Sequence, residues 1–420
     1  MSWNNITVGD LVESGEAEVK TGPFGTQLRA SDYVEKGTPV INVRNIGFGS
    51  IRPDKLEYIP EEVVKRLSNH LLRKGDIVFG RKGAVERHVY IRSGQERWFQ
   101  GSDCLRLRIN SENSVLSKYL SFTFLTHEHQ SWMMQQCSHG ATMASLNQDI
   151  IKRISVRLPP IEKQRMIVDI LSAYDDLIEN NTRRIEILEE MARRLYEEWF
   201  VHFRFPGHEE VSFKESELGR IPEGWGIANL EEVVDLTMGQ SPKSEFYNDR
   251  GEGLPFHQGV TDFGNYFPSN RLYCTVENRV AEEGDILFSV RAPVGRINIS
   301  KEKIVIGRGV SALRSKAGHQ VFLLSQLRKI FEEEDSIGNG AIFKAVTKKD
   351  MQTIKMLQPN VHYIESFESI AGPLWKQIRV LSDKNINLRG QRDLLLPKLV
   401  SGEIDVSDIP MPNDKEVEAA

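Results

Sequence analysis

The chain repeats itself. The stretch Gly75-Asp76-Ile77-Val78-Phe79-Gly80-Arg81 returns 209 residues later as Gly284-Asp285-Ile286-Leu287-Phe288-Ser289-Val290-Arg291. Around it, Trp3 with Val8-Gly9-Asp10-Leu11 is matched 222 residues on by Trp225 with Leu230-Glu231-Glu232-Val233, and Gly140-Ala141 and Pro159 return 200 residues on as Gly340-Ala341 and Pro359. The order is kept while the offset shrinks, as it does when the second copy has shorter loops. A period near 200 residues is far longer than a solenoid repeat, so each copy must be an autonomous domain with its own connector.

Within each copy the first 150 or so residues carry short β-branched runs, such as Thr38-Pro39-Val40-Ile41-Asn42-Val43 and Ile304-Val305-Ile306, broken by helical patches such as Pro60 to Leu67. This mixture predicts an α+β domain. The remainder of each copy has a different period. From Ile167, apolar or core-type residues fall at Leu171, Tyr174, Ile178, Asn181, Ile185, Leu188, Ala192, Leu195 and Trp199, an unbroken 4-3-4-3 spacing. The same register continues in the second copy through Phe367, Ala371, Leu374, Ile378, Leu381, Asn385, Leu388, Arg392, Leu395 and Leu399. Such a seam is the mark of a coiled coil; a helix packed on its own domain is the plainer alternative, but four to five heptads exceed what one small domain covers. Asn181 and Asn385, one turn out of step, are positioned to select register, and Pro373 is expected to bend the second helix.

The expected fold is therefore α+β, with two pseudo-repeated globular domains separated by two long antiparallel coiled-coil helices. The boundaries are domain 1 over 1–157, spacer helix 1 over 158–205, a linker over 206–224, domain 2 over 225–357, spacer helix 2 over 358–402, and an acidic tail over 403–420 expected to be disordered. Charge is divided to match. Residues 161–203 hold 6 Lys+Arg against 10 Asp+Glu and residues 361–402 hold 6 against 4, so the two seams carry opposite sign and can pair antiparallel. At about 1.5 Å per residue the helices make a rod of roughly 50 to 70 Å.

The net charge of −5 argues against a polyanionic partner, but residues 1–157 hold 21 Lys+Arg against 17 Asp+Glu and form a basic domain by count. Catalytic signatures are missing. There is no Walker A loop, no HExxH and no paired CxxC; Asp10 with Glu18-Val19-Lys20 has poor nuclease spacing, and His127-Glu128-His129 lacks a third ligand, so no catalytic and no metal residue is assigned. Three scattered cysteines, Cys104, Cys137 and Cys274, fit a reducing compartment. With no secretory signal and no run of about 18 apolar residues, the expected location is the cytoplasm and no membrane partner is implied.

What remains is cations in glycine-bearing loops. Arg81, Lys82 and Arg87 surround Gly83 after one predicted strand, and Arg291 and Arg296 bracket Gly295 after its counterpart. A second cluster, His139 with Lys152 and Arg153, has as its expected mirror Lys344 with Lys348 and Lys349. Lysine and arginine on tight loops reach phosphates and guanine edges, which makes these eleven residues the candidate DNA contacts; solvated loops with unrelated charges are the alternative, and duplication argues against it.

The order of these parts resembles the specificity subunit of Type I restriction-modification systems across nearly the whole chain. The resemblance rests on Pro159-Pro160-Ile161-Glu162-Lys163-Gln164-Arg165 ahead of the first seam, the linker Leu218-Gly219-Arg220-Ile221-Pro222-Glu223-Gly224-Trp225, and the ending Leu395-Leu396-Pro397-Lys398-Leu399-Val400-Ser401-Gly402-Glu403. The second helix departs from the pattern, opening Pro359-Asn360-Val361-His362-Tyr363 without the Glu-Gln pair. The resemblance implies two target recognition domains, each reading half of a split, asymmetric sequence in double-stranded DNA. It further implies a non-catalytic chain that docks two methyltransferase subunits and nuclease-translocase subunits, with S-adenosylmethionine, ATP and magnesium held by those partners and no cofactor here.

Overall fold

In the computed structural model the described residues are 3–137, 144–336 and 345–407, with side chains left out of account over 332–336. They form two compact α+β units that are not consecutive halves: the first comprises residues 1–180 and 384–420, the second residues 181–383. Both boundaries fall inside long helices, Ile161–Tyr196 and Val361–Ser401. The second helix runs unbroken through Pro373 and Gly390.

The first unit is built on a five-stranded sheet in the order Ala17–Thr21, Cys104–Ile109, Ile77–Gly80, His88–Tyr90 and Phe48–Gly49, antiparallel except for the last pair. A three-stranded sheet of Glu57–Ile59, Thr38–Ile41 and Phe99–Gln100 has Thr38–Ile41 as its central strand. The strand Asn4–Thr7 pairs antiparallel with Ser155–Leu158, so the segment between them starts and finishes at one place. Its core joins Ile77, Phe79, Leu105 and Leu107 to Ile167 and Leu171 of the first long helix and to Leu396, Leu399 and Val400 of the second. Further along, Asn385 Nδ2 donates to the carbonyl of Ile178 (3.3 Å) and Arg392 pairs with Asp175 (2.8 Å). Rising numbers on one helix meet falling numbers on the other, which makes the pairing antiparallel.

The second unit repeats the plan with shorter connections. Val234–Met238, Val310–Ser315, Ile286–Ser289 and Ile297–Ile299 form a four-stranded antiparallel sheet, and Gly226–Asn229 pairs with Lys355–Gln358 as the closing ribbon. Ile185 and Ala192 share its core with Trp375, Ile378 and Leu381, and Tyr196 and Phe200 pack with Phe367 and Ala371, again antiparallel. After Tyr196 the first helix widens into a π-helical turn, Glu197–Val201, which delivers Phe200 to a buried aromatic cluster with Phe205, Trp225 and Phe322.

Both units use the same device at the strand that enters the cation-bearing hairpin. Asp76 Oδ2 accepts from the backbone N–H of Arg73 and pairs with Arg108 (2.6 Å); Asp285 Oδ2 accepts from Glu282 N–H and its Oδ1 pairs with Arg314 (2.7 Å). Gly75 and Gly284, at φ of 90° and 86°, make the turn that places each aspartate. This Gly-Asp pair is the strongest element of the sequence repeat, and its structural reason is the fixing of the central strand.

No position of the heptad seams is exposed. Ile167, Leu171, Ile178, Asn181, Ile185, Ala192, Ile378, Leu381, Asn385 and Leu399 are buried, while Tyr174, Leu188, Leu195, Leu374, Leu388, Arg392 and Leu395 are half-buried. The start of the tail is ordered, contrary to expectation: Val406 is 1% exposed in the first unit's core, and Asp405 pairs with Lys163 (2.9 Å). An apolar residue with a core to enter outweighs the local acidity. Residues 408–420 lie outside the described residues.

Candidate nucleic-acid interface

The cation-bearing hairpin of the first unit joins Ile77–Gly80 to His88–Tyr90. Ile77, Val78 and Phe79 are buried on both faces of the sheet, so the strand is an anchored base from which residues 81–87 project. Arg81 is held by its backbone, with its N–H donating to the Asp103 carbonyl (2.8 Å) and its carbonyl accepting from Leu146 N–H (2.8 Å). Its guanidinium lies over the ring of Phe24, 5.6 Å from the centroid. Lys82 Nζ sits 3.5 Å from the Asp103 carboxylate, and both side chains stay about half exposed. Arg87 lies over Phe48 at 5.1 Å and contacts Glu86.

At the foot of the hairpin His88 is 1% exposed, with Nε2 2.9 Å from Ser121 Oγ. Burial, and then the neighbouring His129, push its pKa down to about 3. His129, stacked on Phe124 at a centroid distance of 4.6 Å, is likewise depressed to about 3 by burial. Both are neutral packing groups. His127 and His129 lie on one helix, His127–Cys137, where a spacing of two points them apart: the first is exposed and the second buried.

In the second unit Arg291 is exposed, makes a backbone bridge to Ala345 and has no ion pair among the described residues. Arg296 also reaches solvent; its N–H donates to Ser289 Oγ (2.8 Å), and it lines an open cleft of about 670 Å³ with Phe263, Tyr266, Asn298 and Phe331. The wall of that cleft is rigid. Arg328 stands against both Tyr266 and Trp375, at 5.7 and 4.7 Å, and pairs with Glu189 (2.5 Å), which also accepts from the Tyr266 hydroxyl (2.6 Å). Burial and then this bond to a carboxylate raise the Tyr266 pKa, so the phenol keeps its proton.

Sheet register corrects the pairing of candidates drawn from sequence. Gly80 faces Cys104 as Ser289 faces Val310, so the residues that follow, Arg81 and Val290, are equivalent. Val290 is buried and donates to the Gly309 carbonyl as Arg81 does to that of Asp103. The true counterparts are then Lys82 with Arg291, which make the matching bridges to Ser145 and Ala345, and Arg87 with Arg296, each just before its return strand. The sequence match is one residue out of step after the strand, because an arginine and a valine end it.

The second mirror fails. Lys348 and Lys349 open the helix Lys348–Gln352, whereas Lys152 and Arg153 close the helix Gln148–Lys152. The carbonyl of Lys152 lies against Gly9, away from the hairpin-facing end, where Gln148 Nε2 donates to Thr21 Oγ1 (2.9 Å). His139 and Lys344 lie outside the described residues. Sequence reasoning missed Gln148, Phe24 and Phe48; a glycine on each side, or close by, was the available signal for the two phenylalanines. Of the remaining suspects, Asp10 serves a capping box with Thr7, and Glu18 pairs with the buried Arg106 (2.8 Å). The three cysteines are free and buried, and burial pushes the Cys137 thiol up to about 11. No helix among the described residues is long and apolar enough to cross a membrane.

Two α+β units with a cation-bearing hairpin apiece, built on antiparallel long helices, define a duplicated recognition protein. Residues 2–190 and 222–362 match the model of the Type I restriction modification DNA specificity domain, and the chain belongs to that family of non-catalytic specificity subunits. It is 34% identical over 354 residues to a Methanocaldococcus jannaschii protein assigned as the type I restriction enzyme MjaX specificity subunit, covering 83% of this chain and 81% of that one. The MjaIX specificity subunit of the same organism is 26% identical, with 84% and 82% covered. The crystal structure of a Type-I restriction-modification system S subunit from M. genitalium shares the fold, with a TM-score of 0.61 at 16% identity over 95% of this chain and 96% of that one.

Proposed function

We propose that each unit reads one half of a bipartite, asymmetric sequence in double-stranded DNA, and that the two long helices set the gap between the half-sites. The observation carrying this reading is the recurrence of Lys82 and Arg87 as Arg291 and Arg296 at equivalent positions of two hairpins. Cations fixed on a buried strand end lose little freedom on meeting phosphates or guanine edges, which is what a positioned contact needs. Two short readouts on one chain multiply affinity through effective concentration, provided the helices span the distance. On this reading residues 1–157 and 225–357 are the recognition domains, 158–205 and 358–402 the spacers, and 206–224 the linker.

The helices would dock two methyltransferase subunits, and nuclease-translocase subunits would join for cleavage, all in the cytoplasm. S-adenosylmethionine, ATP and magnesium belong to those partners. The test is a domain exchange: replacing residues 1–157 by another recognition domain should change one half of the methylated sequence and leave the other half alone. An unchanged sequence after the exchange overturns the reading. Binding of the assembled complex to its target should also weaken steeply between roughly 50 and 300 mM salt, as released counterions demand.

A further inference from the structure

Phe24 and Phe48 are 59% and 50% exposed in the first unit. Single exposed apolar residues are ordinary. These two share a construction that is not. Phe24 follows Gly22, which is pressed on the Gly101 carbonyl so closely that an added Cβ would lie 2.0 Å from its oxygen, and the Phe24 carbonyl accepts from Gln27 N–H (2.7 Å). Phe48 tips a tight turn in which Gly47 N–H donates to the Ser50 carbonyl (3.1 Å) and Gly49 takes a φ of 73°. Each ring lies beneath a guanidinium of the reading hairpin, Arg81 or Arg87.

The second unit shows that neither turn requires an aromatic tip. Gly22 N–H donates to the Cys104 carbonyl and Gly239 N–H to that of Val310; Cys104 faces Gly80 as Val310 faces Ser289, so the two glycines are counterparts, which puts Ser241 in the place of Phe24. Gly264 N–H donates to the Phe267 carbonyl (3.2 Å) as Gly47 does to that of Ser50, which puts the exposed Asn265 in the place of Phe48. The anchoring glycine hydrogen bond is retained at each turn while the tips change from apolar to polar; beyond the tips the turns differ, since Gly25 and Gly49, at φ of 23° and 73°, are replaced by Pro242 and Tyr266.

We propose that Phe24 and Phe48 are specificity-determining residues that contact thymine C5-methyl groups in the half-site read by the first unit, an inference that rests on the DNA-reading function proposed above. The occupant is duplex DNA because the rings sit among Arg81, Lys82 and Arg87, cations suited to its phosphates. The thymine methyl is the one apolar group on the major-groove edge of the bases. A ring held under a guanidinium by cation–π attraction presents an apolar surface beside an N–H donor, matching a methyl group next to a phosphate or a guanine. Ser241 and Asn265 offer hydrogen bonds at the same places, so the second half-site is read through polar base edges.

The test uses the full chain assembled with its partner subunits. The probes are a duplex carrying the sequence that a genome-wide methylation map assigns to this system and a scrambled duplex. Phe24→Ser and Phe48→Asn, the residues the second unit tolerates at these turns, should melt like the unmodified protein. Each should bind the specific duplex about three- to tenfold more weakly, a methyl contact's worth, with scrambled-duplex affinity and salt slope unchanged. Deoxyuridine in place of thymine in the first half-site should cause the same loss in the unmodified protein and none in the variants. Unchanged specific binding by both variants, or no effect of deoxyuridine at any position, overturns the proposal while leaving DNA reading intact. Tighter binding of single strands than of the duplex overturns it in favour of base stacking. Equal affinity of the unmodified complex for both duplexes defeats the DNA-reading function and this inference with it.

Discussion

The two reading hairpins have one backbone and two surfaces. Both rise from a buried strand held by an aspartate–arginine pair, both close against a short following helix, and both present cations at equivalent positions. They differ in depth. In the first unit the aspartate pair is almost sealed, with Asp76 and Arg108 side chains 1% and 13% exposed, whereas Arg314 in the second is 49% exposed. Lys82 shares its charge with Asp103, while Gly309 stands at the corresponding place in the second unit, where Arg291 has no ion pair among the described residues. Duplication has kept the supports and released the tips, so the scaffold is constant while the surface it carries varies.

The largest expected effect comes from the helices on which both hairpins depend. Leu171→Asp in the first unit and Ile378→Asp in the second bury a charge at positions that are 0% exposed, and each should abolish folding of its unit, read as loss of a cooperative melt. Should hydrogen exchange show both units opening with either change, the two would be energetically one body. Next, Asp76→Ala should cost about 3 kcal/mol by stranding Arg108, whose side chain is 13% exposed. Asp285→Ala should cost less, about 1 to 3 kcal/mol, because Arg314 turns to water. Equal losses in chemical denaturation would erase the difference in burial drawn between the units.

Acid acts on both units, since burial also lowers the pKa of His257 in the second, but the first carries the neighbouring pair His88 and His129. His88 and His129 are neutral in the fold with pKa depressed to about 3, against about 6.5 in an unfolded chain. The unfolded state therefore binds protons that the folded state refuses, and stability falls as pH drops from about 6.5 toward 3, by at most about 1.4 kcal/mol per pH unit for each histidine. The second unit carries Ile297 where the first has His88, so His88→Ile should flatten the acid limb of the first unit's melt. An unaltered slope would mean that His88 takes up its proton without unfolding. The smallest effect is expected at the tips. Arg291→Ala should weaken binding to target DNA by about 1 to 3 kcal/mol, and Lys82→Ala by less because Asp103 already shares its charge. The reverse order would show that Asp103 swings away when DNA arrives.

Periodic features were legible in the sequence because burial enforces them. The heptad spacing from Ile167 to Trp199 survives as a run without one exposed position, and the Gly-Asp repeat marks a real structural device. Features set by strand register were not legible. Arg81 and Val290 end equivalent strands, and no local pattern reveals that the cationic partner of Arg291 is the following Lys82. Nor could spacing show that the compact units take one half of each long helix, since that follows from antiparallel contacts such as Asn385 with Ile178, 207 residues apart. The paired lysines at 348 and 349 misled for a related reason: similar charge near similar sequence says nothing about which end of a five-residue helix bears it.

The ribbons that close each recognition segment, Asn4–Thr7 on Ser155–Leu158 and Gly226–Asn229 on Lys355–Gln358, bring the limits of the segment side by side. Chain inserted or removed between such clamped limits alters only a closed excursion, at a loop-closure cost that grows slowly with length. Under the function proposed above, that geometry would let the contents of each segment be rewritten or enlarged, as a cartridge is refilled, provided the face it turns to the long helices stays the same.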